Sequence, residues 1–343
     1  MRRMLNTLFV TTDGAYLKKA GESIVISVKR EIKLRLPIHN LGGIVCFGRV
    51  LCSPVLLGFC ASRGVAVSFL SSGGRYLAKV QGPTSGNVLL RTEQYKRADV
   101  ISECLPIARS TVLAKIANCR TSLQRALRDH GDKGDSSRLE KAISHLGIYL
   151  QNVKNERDIE RIRGFEGYAS RCYFAVFNDM ITAQKESFML EGRSRRPPQD
   201  NVNALLSFAY TLVLHDVISA LESVGLDPQV GFFHRLRPGR PSLALDLLEE
   251  FRPVLADRLV LSLINLKQVD ASGFSREESG GVRMDDWTRK VVISSYQKRK
   301  QDEIVHPFLE EKIPFGMAFF AQALLLARFL RGDLDGYPPF FWK

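Results

Sequence analysis

The chain has 343 residues, 45% apolar and 25% charged, a globular composition that excludes disordered, collagen-like and small disulfide-stapled chains. Lys and Arg number 49 against 36 Asp and Glu, a formal charge of +13 with a pI near 9.6. Such a surplus favours a polyanionic partner, nucleic acid before a membrane surface, and the length points to two domains.

No membrane span is expected. The most apolar stretch, Phe315 to Leu330, is interrupted by Gln322 and Arg328 and falls short of the ~20 residues that cross a bilayer. The N-terminus carries Arg2 and Arg3 without the apolar run of a secretory signal. Cys46, Cys52, Cys60, Cys104, Cys119 and Cys172 form no C-x-x-C pair and no metal-ligand spacing. These features predict reduced thiols in a cytoplasmic protein.

Residues 1–90 carry 12 Lys/Arg against 3 Asp/Glu, whereas residues 91–343 carry 37 against 33. The texture changes at the same place. Ile24, Ile26 and Val28, then Ile32, Leu34 and Leu36, alternate with polar residues, which predicts half-buried strands. Asp13-Gly14 and Gly73-Gly74 read as hairpin turns, and Ser53 to Arg63 as a short helix closed by Gly64. Gly82 to Asn87 reads as a linker. Beyond it, stretches such as 95–128, 154–180, 201–224, 243–268 and 315–331 carry apolar residues at helical spacing. The expectation is an α+β protein: a mostly-β, sandwich-like domain over 1–86, a linker at about 82–94, and a larger all-α domain over 95–343.

Walker loop, G-x-G-x-x-G, H-E-x-x-H and G-x-S-x-G motifs are absent from the sequence, which argues against P-loop hydrolysis and serine hydrolysis. Three features of the helical half carry other chemistry. Gly164-Phe165-Glu166-Gly167 lies inside a helical run, where each glycine costs ~1 kcal/mol relative to alanine. Its glycines suggest close approach of a backbone or ligand beside Glu166; helix packing around a solvated Glu166 is the alternative. Asp246, Glu249 and Glu250 fall at spacings that place three carboxylates on one face of a helix starting at Ser242. Their repulsion is relieved by a hard divalent cation, although such clusters are more commonly solvated faces. Between these, Gly231 to Arg240 sets His234 beside Arg235, Arg237 and Arg240 in a Gly/Pro-framed loop suited to phosphate. Further basic clusters are Arg161 and Arg163, then Arg193, Arg195 and Arg196, then Lys298, Arg299 and Lys300. Each alone could be a solvated surface; their recurrence near carboxylates suits phosphodiester chemistry.

Gly164-Phe165-Glu166-Gly167 with Tyr173-Phe174, Arg195-Arg196-Pro197-Pro198 with Asn203 to Phe208, Gly231-Phe232-Phe233-His234, and Leu245 to Pro253 occur in that order. Together they resemble the CRISPR-associated endonuclease/integrase family of spacer acquisition. The region around Ile38 to Leu41 and Ile44 to Gly48 is similar to that family's sheet domain, and Asp333 to Phe340 resembles a type I-C member.

The resemblance implies one divalent ion per active site, held by Glu166, His234 and Glu249, which would also be the catalytic residues. Many members carry Asp where Glu249 stands, and Asp246 or Glu250 could also touch the ion. Two carboxylates and an imidazole suit Mg²⁺ or Mn²⁺ better than zinc. The implied activity joins 3′-hydroxyl ends of a prespacer duplex to a CRISPR repeat by transesterification, or hydrolyses DNA when water replaces the hydroxyl. DNA contacts are expected from Arg161, Arg163, Arg193, Arg195, Arg196, Arg235, Arg237, Arg240, Lys298 and Arg299. A homodimer through the N-terminal domains and a small second CRISPR-associated protein bridging two dimers are implied partners. The alternatives are a non-catalytic nucleic-acid-binding protein and an RNA-processing nuclease.

Overall fold

The computed structural model describes residues 7–71, 76–80, 82, 88–130, 136–194, 197–278 and 280–342. It divides into two compact units: Met1–Gly86 with Asp286–Gln301, and Asn87–Asp285 with Asp302–Lys343.

The first unit holds two four-stranded sheets. In one, β1 (Thr7–Val10), β5 (Gly43–Phe47) and β7 (Ala66–Leu70) run parallel, and β8 (Tyr76–Val80) pairs antiparallel to β7. In the other, β4 (Glu31–Pro37), β3 (Ser23–Val28) and β2 (Tyr16–Ala20) are antiparallel, with β6 (Leu51–Cys52) parallel to β2. Helix α1 (Pro54–Ser62) starts where the Ser53 hydroxyl accepts the Leu56 N–H and stops before Gly64 at φ 70°. Leu17, Ile24 and Ile26 of one sheet, Ile44, Cys46 and Val67 of the other, and Leu56 and Cys60 of α1 share one core cluster.

Two local expectations are corrected. The alternation at Ile32 and Leu34 does not bury them; they are 65% and 41% exposed. Strand β4 is an edge with a single partner, and the register shift at Ile26/Ser27 marks a bulge, which increases twist. Asp13-Gly14 does not close a hairpin, because β1 pairs with β5 while β2 pairs with β3 and β6. The turn carries the chain from one sheet to the other and is fastened by Asp13, which accepts the Arg49 N–H at 3.0 Å. Gly73-Gly74 lies outside the described residues.

The second unit is built on α3 (Ile101–His130), packed with α4 (Ser137–Asn155), α5 (Ile159–Ala175) and α7 (Ser242–Phe251). Helix α2 (Val88–Ala98) precedes α3, so residues 88–94 are helix where a linker was expected. The reason is burial: Leu90 and Gln94 face inward one turn apart, and the Gln94 amide donates to the Asp227 and Val230 carbonyls and accepts the Asp227 N–H. Pro83 to Asn87 lie outside the described residues.

Helix α6 (Asn201–Ser223) is long and apolar enough to cross a membrane, but most of its apolar window is buried inside the protein. Residues Arg252–Asp257 widen into a π-helical segment before α8 (Arg258–Asn265). Pro253 lacks the N–H that would continue the α ladder from α7, which favours the change.

The region after residue 95 is not all helix. Two short hairpins form, β9 (Phe274–Arg276) with β10 (Val282–Met284) and β11 (Glu303–Val305) with β12 (Lys312–Pro314). Helix α9 (Asp286–Gln301) between them groups with the first unit, and α10 (Phe315–Leu330) returns to the second.

Candidate active site

Charged side chains are rarely fully buried unless paired, yet Lys115, Asp246, Glu249 and Glu250 are all buried in the helical unit. Helix α5 begins at Asp158, whose carboxylate accepts the Glu160 N–H, and carries Glu166 two turns in. Glu166 accepts from the Ser170 hydroxyl at 2.9 Å and pairs with the Lys115 ammonium of α3. Glu249 on α7 meets the same ammonium at 2.8 Å and the Arg252 guanidinium at 2.8 Å. Burial alone would raise the Glu249 pKa, but Arg252, Lys115 and His234 outweigh it and bring it down to about 2. Glu249 is therefore an anion at any working pH.

His234 reaches this pair from the loop before α7. Asp246 accepts the backbone N–H groups of Phe232, Phe233 and His234 at 2.7, 3.0 and 2.8 Å, and its carboxylate lies 2.6 Å from His234 Nδ1. A proton on Nδ1 leaves the lone pair on Nε2, which lies 3.8 Å from a Glu249 carboxylate oxygen. A carboxylate that holds the remote nitrogen of a histidine is the usual second partner of a metal-ligating imidazole.

Arg163 clamps the loop from the other side. It donates to the Phe233 carbonyl at 2.6 and 3.1 Å and lies over the Phe233 ring. A Cβ on Gly231 would meet backbone atoms of Ser242 and Leu243 and the Asp246 carboxylate at 2.6 to 2.8 Å. Gly231→Ala should therefore shift the loop, cost about 1–3 kcal/mol and displace His234. A lowered melting temperature together with lost activity checks this, and an unchanged melt would contradict it.

The sequence-derived roles divide here. Glu166, His234 and Glu249 converge around Lys115 and Arg252. Asp246 faces His234 and the loop backbone, and Glu250 turns to the opposite side. There it accepts from Tyr337 at 2.7 Å, Phe340 N–H at 2.8 Å and Gln322 at 3.0 Å. Three carboxylates on one face is thus corrected to two, because Glu250 sits about 100° further around the helix than Glu249. Among the described residues nothing stands within 4 Å of where a Cβ on Gly164 or Gly167 would lie, so the close approach expected beside Glu166 is not seen there. Helix α7 starts at Ser242 without a side-chain cap, Pro241 standing before it.

The basic residues also separate. Arg161, Arg235 and Arg237 are exposed and Arg240 is half-buried; Arg161 lies 3.7 Å from Glu156 and Arg235 3.0 Å from Glu160. Arg193 does not project from a loosely packed loop as expected. It packs over the rings of Phe174 and Tyr210 and donates to Asn203 and the Ser194 carbonyl. Arg195 and Arg196 lie outside the described residues. Lys298 is exposed and Arg299 half-buried on α9, whereas Lys300 is buried against the Tyr296 ring.

Sequence reasoning missed Lys115 and the contacts of Arg252. A signal for Lys115 exists: Thr111, Lys115, Asn118 and Ser122 form a buried polar stripe at three- and four-residue spacing on α3. Among the described residues no group of three or more His, Cys, Asp or Glu stands close enough together to hold a metal ion as the side chains lie. The chemistry of the donor set nevertheless suits a hard divalent ion: two carboxylates that share one cation, and an imidazole nitrogen held by Asp246.

A family model described as "CRISPR associated protein Cas1" matches residues 8–298. The chain is 55% identical over 343 residues to "CRISPR-associated endonuclease Cas1 1" of Chlorobaculum tepidum, covering all of both chains. Its fold superposes with a TM-score of 0.85 on a casposase bound to integration product, at 21% identity over 98% of this chain and 94% of that one. It superposes with a TM-score of 0.84 on a chain of a Cas6-RT-Cas1–Cas2 complex, at 22% identity over 98% of this chain and 36% of that one. A match of this extent, in sequence and in fold, places the chain in the CRISPR-associated Cas1 family.

Proposed function

We propose that the protein is a metal-dependent DNA endonuclease and integrase of CRISPR adaptation, joining 3′-hydroxyl ends of a prespacer to the CRISPR repeat. The observation that carries this reading is that Glu166 and Glu249 share the Lys115 ammonium while the Asp246-held His234 lies 3.8 Å from Glu249. The endonuclease name of the 55% identical relative and the integration product of the casposase support it.

Glu166, Glu249 and His234 Nε2 would hold one Mg²⁺ or Mn²⁺, which supplies Lewis-acid polarisation of a phosphoryl oxygen when bound. Asp246 fixes the imidazole through Nδ1 and ties the loop backbone, so Nε2 is presented without a rotamer search. Arg163 holds that loop against α5. Arg161, Arg235, Arg237 and Arg240 would contact flanking phosphates and fix register without reading bases. In strand transfer a 3′-hydroxyl attacks phosphorus in line and the opposing 3′-oxygen leaves; in hydrolysis water is the nucleophile.

The proposed partners are a second copy of the chain, through the N-terminal units, and a small second CRISPR-associated protein, as in the Cas1–Cas2 assembly above. A cytoplasmic setting and subtype I-C complete the reading, the latter on the resemblance of Asp333 to Phe340. Supercoiled plasmid incubated with a labelled oligonucleotide and Mn²⁺ should acquire the label, and EDTA should abolish this. Salt-sensitive DNA binding with no covalent product would leave a binding protein, and preference for RNA would favour RNA processing.

A further inference from the structure

Lys115 carries the charge sign of a metal ion and lies between two of the proposed ligands, Glu166 and Glu249. Its ammonium touches Glu166 and lies 2.8 Å from Glu249, so it bridges the two carboxylates. It arrives from α3, whereas the carboxylates stand on α5 and α7, so it joins three helices at one point. Its neighbours on the stripe, Asn118 and Ser122, are committed to backbone carbonyls of Glu250, Phe340 and Pro253.

The ammonium lies 2.8 Å from Glu249 Oε2, and among the described residues no other donor reaches that buried oxygen. A divalent ion would be held by both carboxylates and by the imidazole nitrogen, whereas the ammonium contacts the two carboxylates. Two cations cannot share one bridging position between the same oxygens. Lysine also suits the role of yielding: its charge sits at the end of four rotatable methylenes, unlike the planar fork of Arg252.

We infer that Lys115 is the resident counter-cation of this pocket, a positioning residue that holds Glu166 and Glu249 together and gives way when a divalent ion binds. The inference rests on the metal-dependent reading above. Without the ion, Lys115 prevents the two carboxylates from repelling each other; with it, the ammonium withdraws from the bridging position. The protein accordingly binds its metal more weakly than the bare ligand set would, since a competing occupant reduces apparent affinity by the fraction of sites it leaves open.

The test is Mn²⁺ binding to the DNA-free protein, measured by electron paramagnetic resonance and calorimetry, with melting temperature as a second readout. Lys115→Met should bind Mn²⁺ at least about fivefold more tightly than wild type, the lower end of measured site-to-site couplings. It should melt lower in EDTA and gain more from Mn²⁺. Arg252→Met, which removes a charge beside Glu249 without vacating the bridge, should tighten binding less. Lys115→Arg, which keeps the charge and the packing, should bind no more tightly than wild type. Unchanged or weaker binding by Lys115→Met, or equal tightening by Arg252→Met, overturns the inference while leaving the metal site standing. Should Lys115→Met fail to fold, tighter binding by Lys115→Arg would overturn it. No Mn²⁺ binding by folded wild type would instead remove the metal reading itself, and this inference with it.

Discussion

Glu166→Gln is expected to lower strand transfer at least about a hundredfold, since even the outer partners of metal ligands are worth 10–100-fold. The substitution keeps shape and removes one negative charge. The introduced amide can still accept from the Ser170 hydroxyl, so the helix need not move, and Lys115 keeps its 2.8 Å contact with Glu249. DNA affinity and melting temperature should therefore stay near wild type while covalent joining disappears. A gel assay for labelled plasmid, run beside a DNA-binding titration, checks both halves. Parallel loss of binding and chemistry would mean that Glu166 shapes the fold or the DNA surface, not the reaction.

The second large effect concerns a carboxylate one residue from the site that does other work. Glu250 is buried and receives Tyr337, Phe340 N–H and Gln322. Glu250→Ala would strand these donors, at about 1–3 kcal/mol each. The expected loss is at least about 3 kcal/mol, a fall of roughly 6–12 °C in melting temperature for a unit of this size. The C-terminal segment around Tyr337 and Phe340 should become protease-sensitive first.

A pH effect accompanies it. Desolvation raises the Glu250 pKa from 4.5 to about 8, despite the hydrogen bonds from Phe340, Tyr337 and Gln322 that favour the anion. A folded value above the unfolded one means that the folded state holds the proton more tightly. The associated stability is complete below pH 4.5 and is lost as pH rises through 8. Wild type should lose stability across that window, and Glu250→Gln should flatten the curve. Identical pH profiles for the two proteins would contradict this assignment.

What could be read from the sequence followed periodicity and motif order. The alternation at Ile24 and Ile26 identified a strand of the sandwich core, and the helical spacing over 201–224 and 315–331 identified α6 and α10 within a residue or two. Where the sequence misled, a tertiary fact intervened. Ile32 and Leu34 keep the strand alternation but fall on an edge strand. The turn between β3 and β4 is made by Lys29 and Arg30 at φ 50° and 69°, residues that carry no turn signature. Arg193 belongs to a loop rich in arginine, yet the rings of Phe174 and Tyr210 from two different helices enclose it. Spacing along α7 could not separate Glu249 from Glu250, because only the surrounding helices decide which direction is pocket and which is core. Lys115 lay hidden in an ordinary amphipathic helix, although its polar neighbours at 111, 118 and 122 marked the face.

The most direct test of the central claim uses one plasmid and two oligonucleotides, identical except that one ends in a 3′-hydroxyl and the other in a 3′-deoxy sugar. In Mn²⁺, wild type should join only the 3′-hydroxyl oligonucleotide to the plasmid, and EDTA or Glu166→Gln should abolish joining. Joining that persists in EDTA, or that proceeds equally without the 3′-hydroxyl, would contradict the account.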